Sequence, residues 1–259
     1  MDCHKRNLDI SMKILEELKL DPRVEGVAFL GGVARNYADE YSDIDIVVFS
    51  NEAIKDLPIG EHFYDENIDI EIFNKVMSEN KWNEQKKETY EEGCLVYDKS
   101  GKVGEFLDKN LKYSEEEFLH NFVDRLFSLA WHGFVYTPYR NKYVRGYKWV
   151  LPPDLWKKRN NISNGYLVLN QCAVTLIEMM FVINRKWIPS NKWLWIKVLK
   201  LKYLPESFEK KMSYILFEKD DEETYTLKIK YLNELLDESF EYVNDSLPDN
   251  LYEYVDLSD

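Results

Sequence analysis

The stretch from residue 26 to residue 49, GVAFLGGVARNYADEYSDIDIVVF, constrains the fold more than any other part of the chain. Both of its ends are apolar runs, mostly of β-branched or aromatic residues, which is typical of short buried strands. A Gly-Gly turn and a polar loop lie between the two runs. The stretch therefore predicts two strands of a buried sheet, and the run NIDIEIF at residues 67–73 predicts another.

Acidic residues stand at the start of two of these predicted strands. Asp43 and Asp45 are two residues apart, so their side chains leave the same face of a strand about 7 Å from each other. Asp69 begins the later strand, and Glu71 shares its face. Neighbouring carboxylates repel one another unless a cation lies between them. Because oxygen-only ligands suit Mg²⁺ or Mn²⁺, the pattern predicts a metal site to which Asp69 or Glu71 adds the third acid.

The other elements are predicted from hydrophobic periodicity and from turn residues. Predicted helices cover residues 7–19, 78–92 and 163–184, and a further strand, CLVYD, covers residues 94–98. Ser114 and Glu117 form the S-x-x-E capping box that starts another helix. The tail after residue 205 combines leucines with acids, which predicts one or two covering helices and a solvated end.

Composition limits the class of protein and of partner. The 259 residues are 45% hydrophobic and 15% aromatic, which indicates a globular protein with a filled core. The net charge of −13 disfavours nucleic acid as a partner, because phosphate binding needs a basic face. This charge either attracts small cationic acceptors or only keeps the protein soluble. Three scattered cysteines, no signal-peptide pattern and a polar-interrupted apolar stretch at residues 166–183 predict a cytoplasmic protein without a membrane span.

The order of the glycines and acids resembles the signature of the nucleotidyltransferase superfamily, which includes DNA polymerase beta and the kanamycin, lincosamide and streptomycin nucleotidyltransferases. In that signature a hydrophobic strand ends in a Gly-Gly or Gly-Ser turn, and an Asp-hydrophobic-Asp or Glu motif follows after a spacer. A third carboxylate lies on a later strand. The corresponding pieces here are residues 30–32 (LGG), 43–46 (DIDI) and 68–70 (IDI).

The resemblance implies an α/β (α+β) protein with two domains. A small mixed nucleotidyltransferase sheet with flanking helices would occupy residues 1–110, and an α-helical bundle that closes the cleft would occupy residues 111–259. By the same resemblance Asp43, Asp45 and Asp69 would be catalytic and would hold Mg²⁺ or Mn²⁺. Asp69 is preferred over Glu71 because the third acid of the family lies in a hydrophobic-acid-hydrophobic triplet.

The resemblance also implies nucleotide-binding residues around the glycine turn. Gly31 and Gly32 would present backbone N–H groups to phosphate oxygens, with a helix following them. Gly32 stands where the family often has serine. Arg35 either faces phosphate or pairs with Asp39 on its own helix. Ser42 either orients a ligand or only starts the second strand.

The second half of the chain offers candidates for a general base and for a phosphate ligand. In antibiotic-modifying relatives a carboxylate from the helical half acts as general base, and Asp124 lies on a stripe with Asn121 and Ser128 that usually faces solvent. Glu178, on the single polar stripe of an apolar helix, is either this base or a structural salt bridge. Lys192 is either a triphosphate ligand or a side chain that snorkels from a helix start.

The resemblance implies a metal-dependent nucleotidyltransferase with ATP as co-substrate. It would transfer AMP to a hydroxyl group of a small molecule, such as an aminoglycoside- or lincosamide-like antibiotic, and release pyrophosphate. Its partners would be the nucleoside triphosphate and the small-molecule acceptor, with no nucleic acid or membrane, and it would act as a monomer or homodimer. The alternatives are a protein or RNA acceptor, and a non-catalytic nucleotide-binding or antitoxin-like module.

Overall fold

A computed structural model of the chain describes residues 2–57, 68–78, 82, 84–131 and 155–248. The chain divides into two compact units, residues 1–112 and residues 113–259. Each unit has a hydrophobic core of its own. The division lies close to the domain boundary that the sequence predicts at residue 110.

The described part of the first unit is built on a mixed sheet. Its strands are β1 (Val24–Phe29), β2 (Ile44–Ser50), β3 (Ile70–Val76) and β4 (Cys94–Asp98). In the order β3-β2-β1-β4, β1 is antiparallel to both β2 and β4, whereas β2 and β3 are parallel. The small mixed sheet with flanking helices is therefore confirmed.

Helices flank this sheet. Within the described residues of the first unit they are α1 (Cys3–Leu18), α2 (Gly31–Ala34), α3 (Glu84–Glu91) and α4 (Lys102–Leu111). The predicted leading helix is confirmed by α1, but the helix predicted from residue 78 begins only at Glu84. The sequence does not predict α4. It follows Asp98, whose carboxylate accepts the backbone N–H groups of Gly101 and Gly104 at 2.8 Å each.

Side chains alternate along β2, which gives the sheet two different faces. One face, with Ile44, Ile46 and Val48, packs in the same core as α1. The other face, with Val47 and Phe49, packs against α3 and α4. All five side chains are 0% exposed. Both faces of β2 are therefore packed in hydrophobic cores.

The described part of the second unit consists of helices and their connections. The helices are α5 (Glu115–Trp131), α6 (Leu155–Lys158), α7 (Ile162–Ile183), α8 (Asn191–Val198), α9 (Phe208–Phe217) and α10 (Glu222–Val243). The predicted capping box is confirmed, because Ser114 Oγ accepts the N–H of Glu117 at 3.1 Å and Glu117 Oε2 accepts the N–H of Ser114 at 2.9 Å. The predicted helix at residues 163–184 corresponds to α7.

Helix α7 is apolar enough to be compared with a membrane span. By length and composition it is long enough to cross a bilayer, with a mean hydropathy of 1.7 over its most apolar window. However, 61% of that window is buried inside the chain, where Leu169, Leu176 and Met180 are fully covered. The core helix of a soluble protein shows the same properties.

The C-terminal helices form more of the core than the sequence predicts. Tyr225, Leu232 and Phe240 of α10 are at most 1% exposed, so the helix is central and does not merely cover the unit. Lys228, on the same helix, is also fully buried. Its ammonium group donates to a backbone carbonyl at 2.7 Å and to Asp220 Oδ1 at 2.8 Å, which compensates for the loss of water.

Asp237 on α10 provides a test of buried charge. Its Oδ1 is shielded from water without a hydrogen-bond partner among the described residues, and burial raises the pKa of the carboxyl group. A folded-state pKa above the unfolded value means that the ionised group destabilises the fold at neutral pH, and that this cost disappears as the pH falls through the folded pKa. We expect Asp237→Asn to raise Tm by roughly 1–3 °C at pH 7 and to lose this advantage near pH 4.

Thermal denaturation followed by circular dichroism across this pH range measures the effect. The matched control is Asp245→Asn, because Asp245 is exposed on the turn that follows α10. A gain in Tm that is the same at pH 4 and pH 7 would contradict the assigned cause.

Candidate active site

The start of β2 lies beside the start of β3, and acids occupy both. Asp45 and Glu71 are direct partners across the parallel pair, and the N–H of Ile44 donates to the carbonyl oxygen of Asp69 at 2.9 Å. Because side chains alternate along a strand, Asp43 and Asp45 leave the same face of β2, and the two acids of β3 leave the corresponding face. The fold thus brings four carboxylates to one face at one end of the strand pair.

These carboxylates are accessible and offer oxygen donors to a divalent ion. Asp43, Asp69 and Glu71 are exposed, and Asp45 is half-buried. In the described ranges, no three His, Cys, Asp or Glu side chains are close enough together to form a metal-binding group. In nucleotide-binding sites Mg²⁺ keeps several of its waters and takes one or two protein carboxylates together with phosphate oxygens. The assignment of three ligands stays a prediction.

The Gly-Gly turn packs directly against these acids. Gly31 has a φ of +57°, and a Cβ at this position would lie 2.4 Å from Oδ2 of Asp45. A Cβ on Gly32 would lie 2.6 Å from the carbonyl oxygen of Tyr37. Both positions therefore favour glycine, which explains why serine is absent from the second one. The sequence predicts that a helix follows the two glycines. In the structure both glycines lie inside the short helix that ends at Ala34.

Two other predicted nucleotide-binding residues contact neighbouring side chains. Arg35 Nε donates to Glu92, just after α3, which is a partner that the sequence does not predict. The hydroxyl group of Ser42 donates to Asp39 Oδ1 at 2.9 Å and accepts the N–H of Asp39 at 3.0 Å. These contacts order the polar loop before β2. Nucleotide contacts by Arg35 and Ser42 stay predictions.

Residues 11–122, which include the four acids and the Gly-Gly turn, match the family model of the nucleotidyltransferase domain. The chain contains a nucleotidyltransferase domain. The predicted superfamily and the predicted class of enzyme are both confirmed by this match. Enzymes of the family generally use a nucleoside triphosphate and a divalent metal ion.

A solved structure of a nucleotidyltransferase-like protein from Exiguobacterium sibiricum 255-15 is similar over 92% of this chain and 79% of its own. The identity is 12% and the TM-score is 0.42, so the family assignment rests on the domain match and not on this likeness. No curated protein shows a significant match to the chain.

Two acids were predicted as alternative general bases of the nucleotidyltransferase, and both lie near Arg125. Glu178 Oε2 on α7 lies 3.3 Å from Arg125 Nε on α5, so the predicted salt bridge is present. Asp124 is half-exposed, and its Oδ2 lies 3.9 Å from His120 Nε2 and from Arg125 Nη1. A catalytic role for either acid stays a prediction.

Two other predictions fall in the same unit of the nucleotidyltransferase. Lys192 is exposed in the first turn of α8, with its Nζ 5.9 Å from the centre of the Trp193 ring, and its role as a triphosphate ligand stays a prediction. The prediction that Asn121 faces solvent on α5 is wrong. This side chain is only 4% exposed, and its Nδ2 donates to the hydroxyl of Tyr113 at 3.2 Å.

Asn7 is a residue near the site that the sequence reading misses. It is 0% exposed, and its Nδ2 donates to the carbonyl oxygen of Ser42 at 3.2 Å, directly before Asp43. A signal was present, because Asn7 lies four residues before Ser11 and seven before Ile14 on the buried face of α1. An amide at such a position needs a polar partner.

Proposed function

We propose that this nucleotidyltransferase transfers AMP from ATP to a hydroxyl group of a small molecule and releases pyrophosphate, acting in the cytoplasm. The observation that supports this proposal is the arrangement of acids on β2 and β3 beside a turn in which Gly31 has no room for a Cβ. Backbone groups without a Cβ allow phosphate to approach closely. Carboxylates next to a triphosphate are the oxygen ligands that Mg²⁺ takes in nucleotide-binding sites.

In this reaction the acceptor oxygen attacks the α-phosphorus, the bond from that phosphorus to the bridging oxygen breaks, and pyrophosphate leaves. Asp43 and Asp45 would hold Mg²⁺ on the triphosphate, and Asp69 would complete the set of ligands. A bound divalent ion supplies Lewis-acid stabilisation of the charge on the entering and leaving oxygens. Asp124 or Glu178 takes the proton of the acceptor hydroxyl, as a general base.

The remaining residues would bind the phosphates. Gly31 and Gly32 present backbone N–H donors, and Lys192 offers a point charge to the β- or γ-oxygens. Arg35, whose Nε donates to Glu92, would add a positive charge near the phosphate oxygens. Ser42, through its contacts with Asp39, keeps the loop before Asp43 in one shape.

The acceptor is proposed to be a small molecule that carries positive charge, as an aminoglycoside- or lincosamide-like antibiotic does. A net charge of −13 attracts cations and repels polyanions. The same charge disfavours RNA as the acceptor, because RNA binding depends on neutralising phosphates with basic side chains. Transfer to an acidic surface of another protein is also disfavoured, because the net negative charge of this chain repels such a surface.

The test is an assay of pyrophosphate release with Mg²⁺ and each of ATP, CTP, GTP and UTP, against a panel of aminoglycosides, lincosamides and neutral sugars. We expect release only when a hydroxylated acceptor is present, with ATP as the best donor and cationic acceptors ahead of neutral ones. Release that never depends on a small molecule, despite intact ATP binding, would contradict the small-molecule acceptor.

The choice between Asp69 and Glu71 as the third acid can be tested in the same assay. We expect Asp69→Asn to lower kcat roughly 100-fold or more, because a group that stabilises developing charge typically contributes this much. Glu71→Gln is the matched variant, since both side chains are exposed on the same strand end. A loss caused by Glu71→Gln and not by Asp69→Asn would show that the acid in register with Asp45 is the ligand.

A further inference from the structure

Asn7 is a buried amide on α1 that reaches the strand carrying the acids from the other side of the sheet. Helix α1 packs on the face of β2 that holds Ile44 and Ile46, whereas Asp43 and Asp45 leave the opposite face. The contact is made to the backbone, from Asn7 Nδ2 to the carbonyl oxygen of Ser42 at 3.2 Å. An amide behind the sheet therefore holds the peptide that precedes the first acid.

The orientation of this amide is fixed by its second contact. The Oδ1 of Asn7 lies 3.1 Å from Nε of Arg6, which can only donate a hydrogen bond. The other end of the amide must therefore be the NH₂ group, which donates to Ser42. The backbone carbonyl of Asn7 accepts a hydrogen bond from the hydroxyl of Ser11 at 2.8 Å. The helical turn that follows Asn7 is therefore held by a side chain as well.

The peptide groups on both sides of Asp43 are thus held by hydrogen bonds. The carbonyl before it is bound by Asn7, and the N–H of Ile44 after it is bound by the carbonyl of Asp69 at 2.9 Å. Asp43 itself is exposed and lies just before β2, outside the regular ladder. Of these two hydrogen bonds, the contact to Asn7 is the one that holds the peptide on the N-terminal side of Asp43, next to the Ser42–Asp39 contacts of the loop.

We propose that Asn7 is a positioning residue for the metal-binding carboxylates, which it aligns by holding the Ser42 carbonyl. This inference rests on the proposed function of Asp43. Groups that orient a metal ligand typically change metal affinity or activity 10–100-fold when they are removed. The predicted consequence is a higher requirement for divalent metal, while the acceptor is bound as before.

The experiment measures the binding of ATP by isothermal titration calorimetry at increasing Mn²⁺ concentration, together with Tm. We expect Asn7→Asp, which keeps the shape but replaces the donor by an oxygen, to raise the Mn²⁺ concentration at half-maximal ATP binding about 10–100-fold. Asn7→Ser, which has a shorter, uncharged side chain, provides a second variant in case the first does not fold. Ser11→Ala is the matched control, because Ser11 is equally buried on the same helix face but bonds only within α1.

The outcomes separate the inference from the proposed function. A wild-type chain that binds no ATP with Mn²⁺ would refute the proposed function and this inference together. Metal-dependent ATP binding in the wild type, with an unchanged Mn²⁺ midpoint in folded Asn7 variants, would refute the inference alone. An equal shift of the midpoint in Ser11→Ala would assign the effect to the stability of α1 and would also overturn the positioning role.

Discussion

Replacing Asp45 with asparagine is expected to lower kcat for nucleotidyl transfer by roughly 10³-fold while the chain remains folded. The side chain keeps its shape but loses the negative charge that would hold Mg²⁺. Asp45 is half-buried beside Gly31 and in register with Glu71, and asparagine has nearly the same size, so the packing at this position is retained. The expected result is a folded protein that releases pyrophosphate roughly 10³-fold more slowly than the wild type.

Steady-state kinetics and thermal denaturation of the same preparation measure both effects. Asp108→Asn is the matched control, since it removes an exposed carboxylate from α4 in the same unit. Full activity in Asp45→Asn would remove the basis for metal binding at the start of β2. A large fall in Tm would instead mean that the carboxylate has a structural role.

Replacing Gly31 with alanine is also expected to have a large effect, a loss of about 100-fold in kcat. The added Cβ would lie 2.4 Å from Oδ2 of Asp45, so this carboxylate has to turn away from its place. A displacement of about 1 Å in a catalytic group typically costs on the order of 100-fold in rate. The φ of +57° adds backbone strain of about 1–2 kcal/mol, which lowers Tm.

Gly101→Ala separates the two causes of this effect. Gly101 also has a positive φ, of 78°, but nothing lies within 4 Å of the position where its Cβ would be. We expect this variant to lose a similar amount of stability and to retain its activity. If Gly31→Ala lost no more activity than Gly101→Ala, the contact between the turn and Asp45 would have no catalytic consequence.

The elements that the sequence predicts are those with signals inside a few residues. A run of β-branched and aromatic residues predicts β2, helical spacing predicts α1 and α7, and the capping box at Ser114 predicts the start of α5. Helix α4 was not predicted, because its start depends on backbone N–H groups that turn back to Asp98 and its pattern contains Gly104. The local pattern shows a turn there and does not show that a helix follows.

The contacts that complete the site could not be predicted, because they join distant parts of the chain. Arg35 and its partner Glu92 are 57 residues apart, and Asn7 and Ser42 are 35 residues apart. A helical pattern contains no information about which side chain arrives from another element. The wrong expectation for Asn121 has the same origin, since its partner, the Tyr113 hydroxyl, lies outside the α5 pattern that assigns this position to solvent.

The separation of the two faces of β2 bears on how this chain can diverge. Ile44, Ile46 and Val48 are fully buried, so most substitutions on their face disturb the core that includes α1. The acids leave the other face and lie toward solvent at its open end. A lineage can therefore acquire a different acceptor through changes around that open end while its leading helix stays constant. We expect substrate range to drift faster among descendants than the sequence of α1 does.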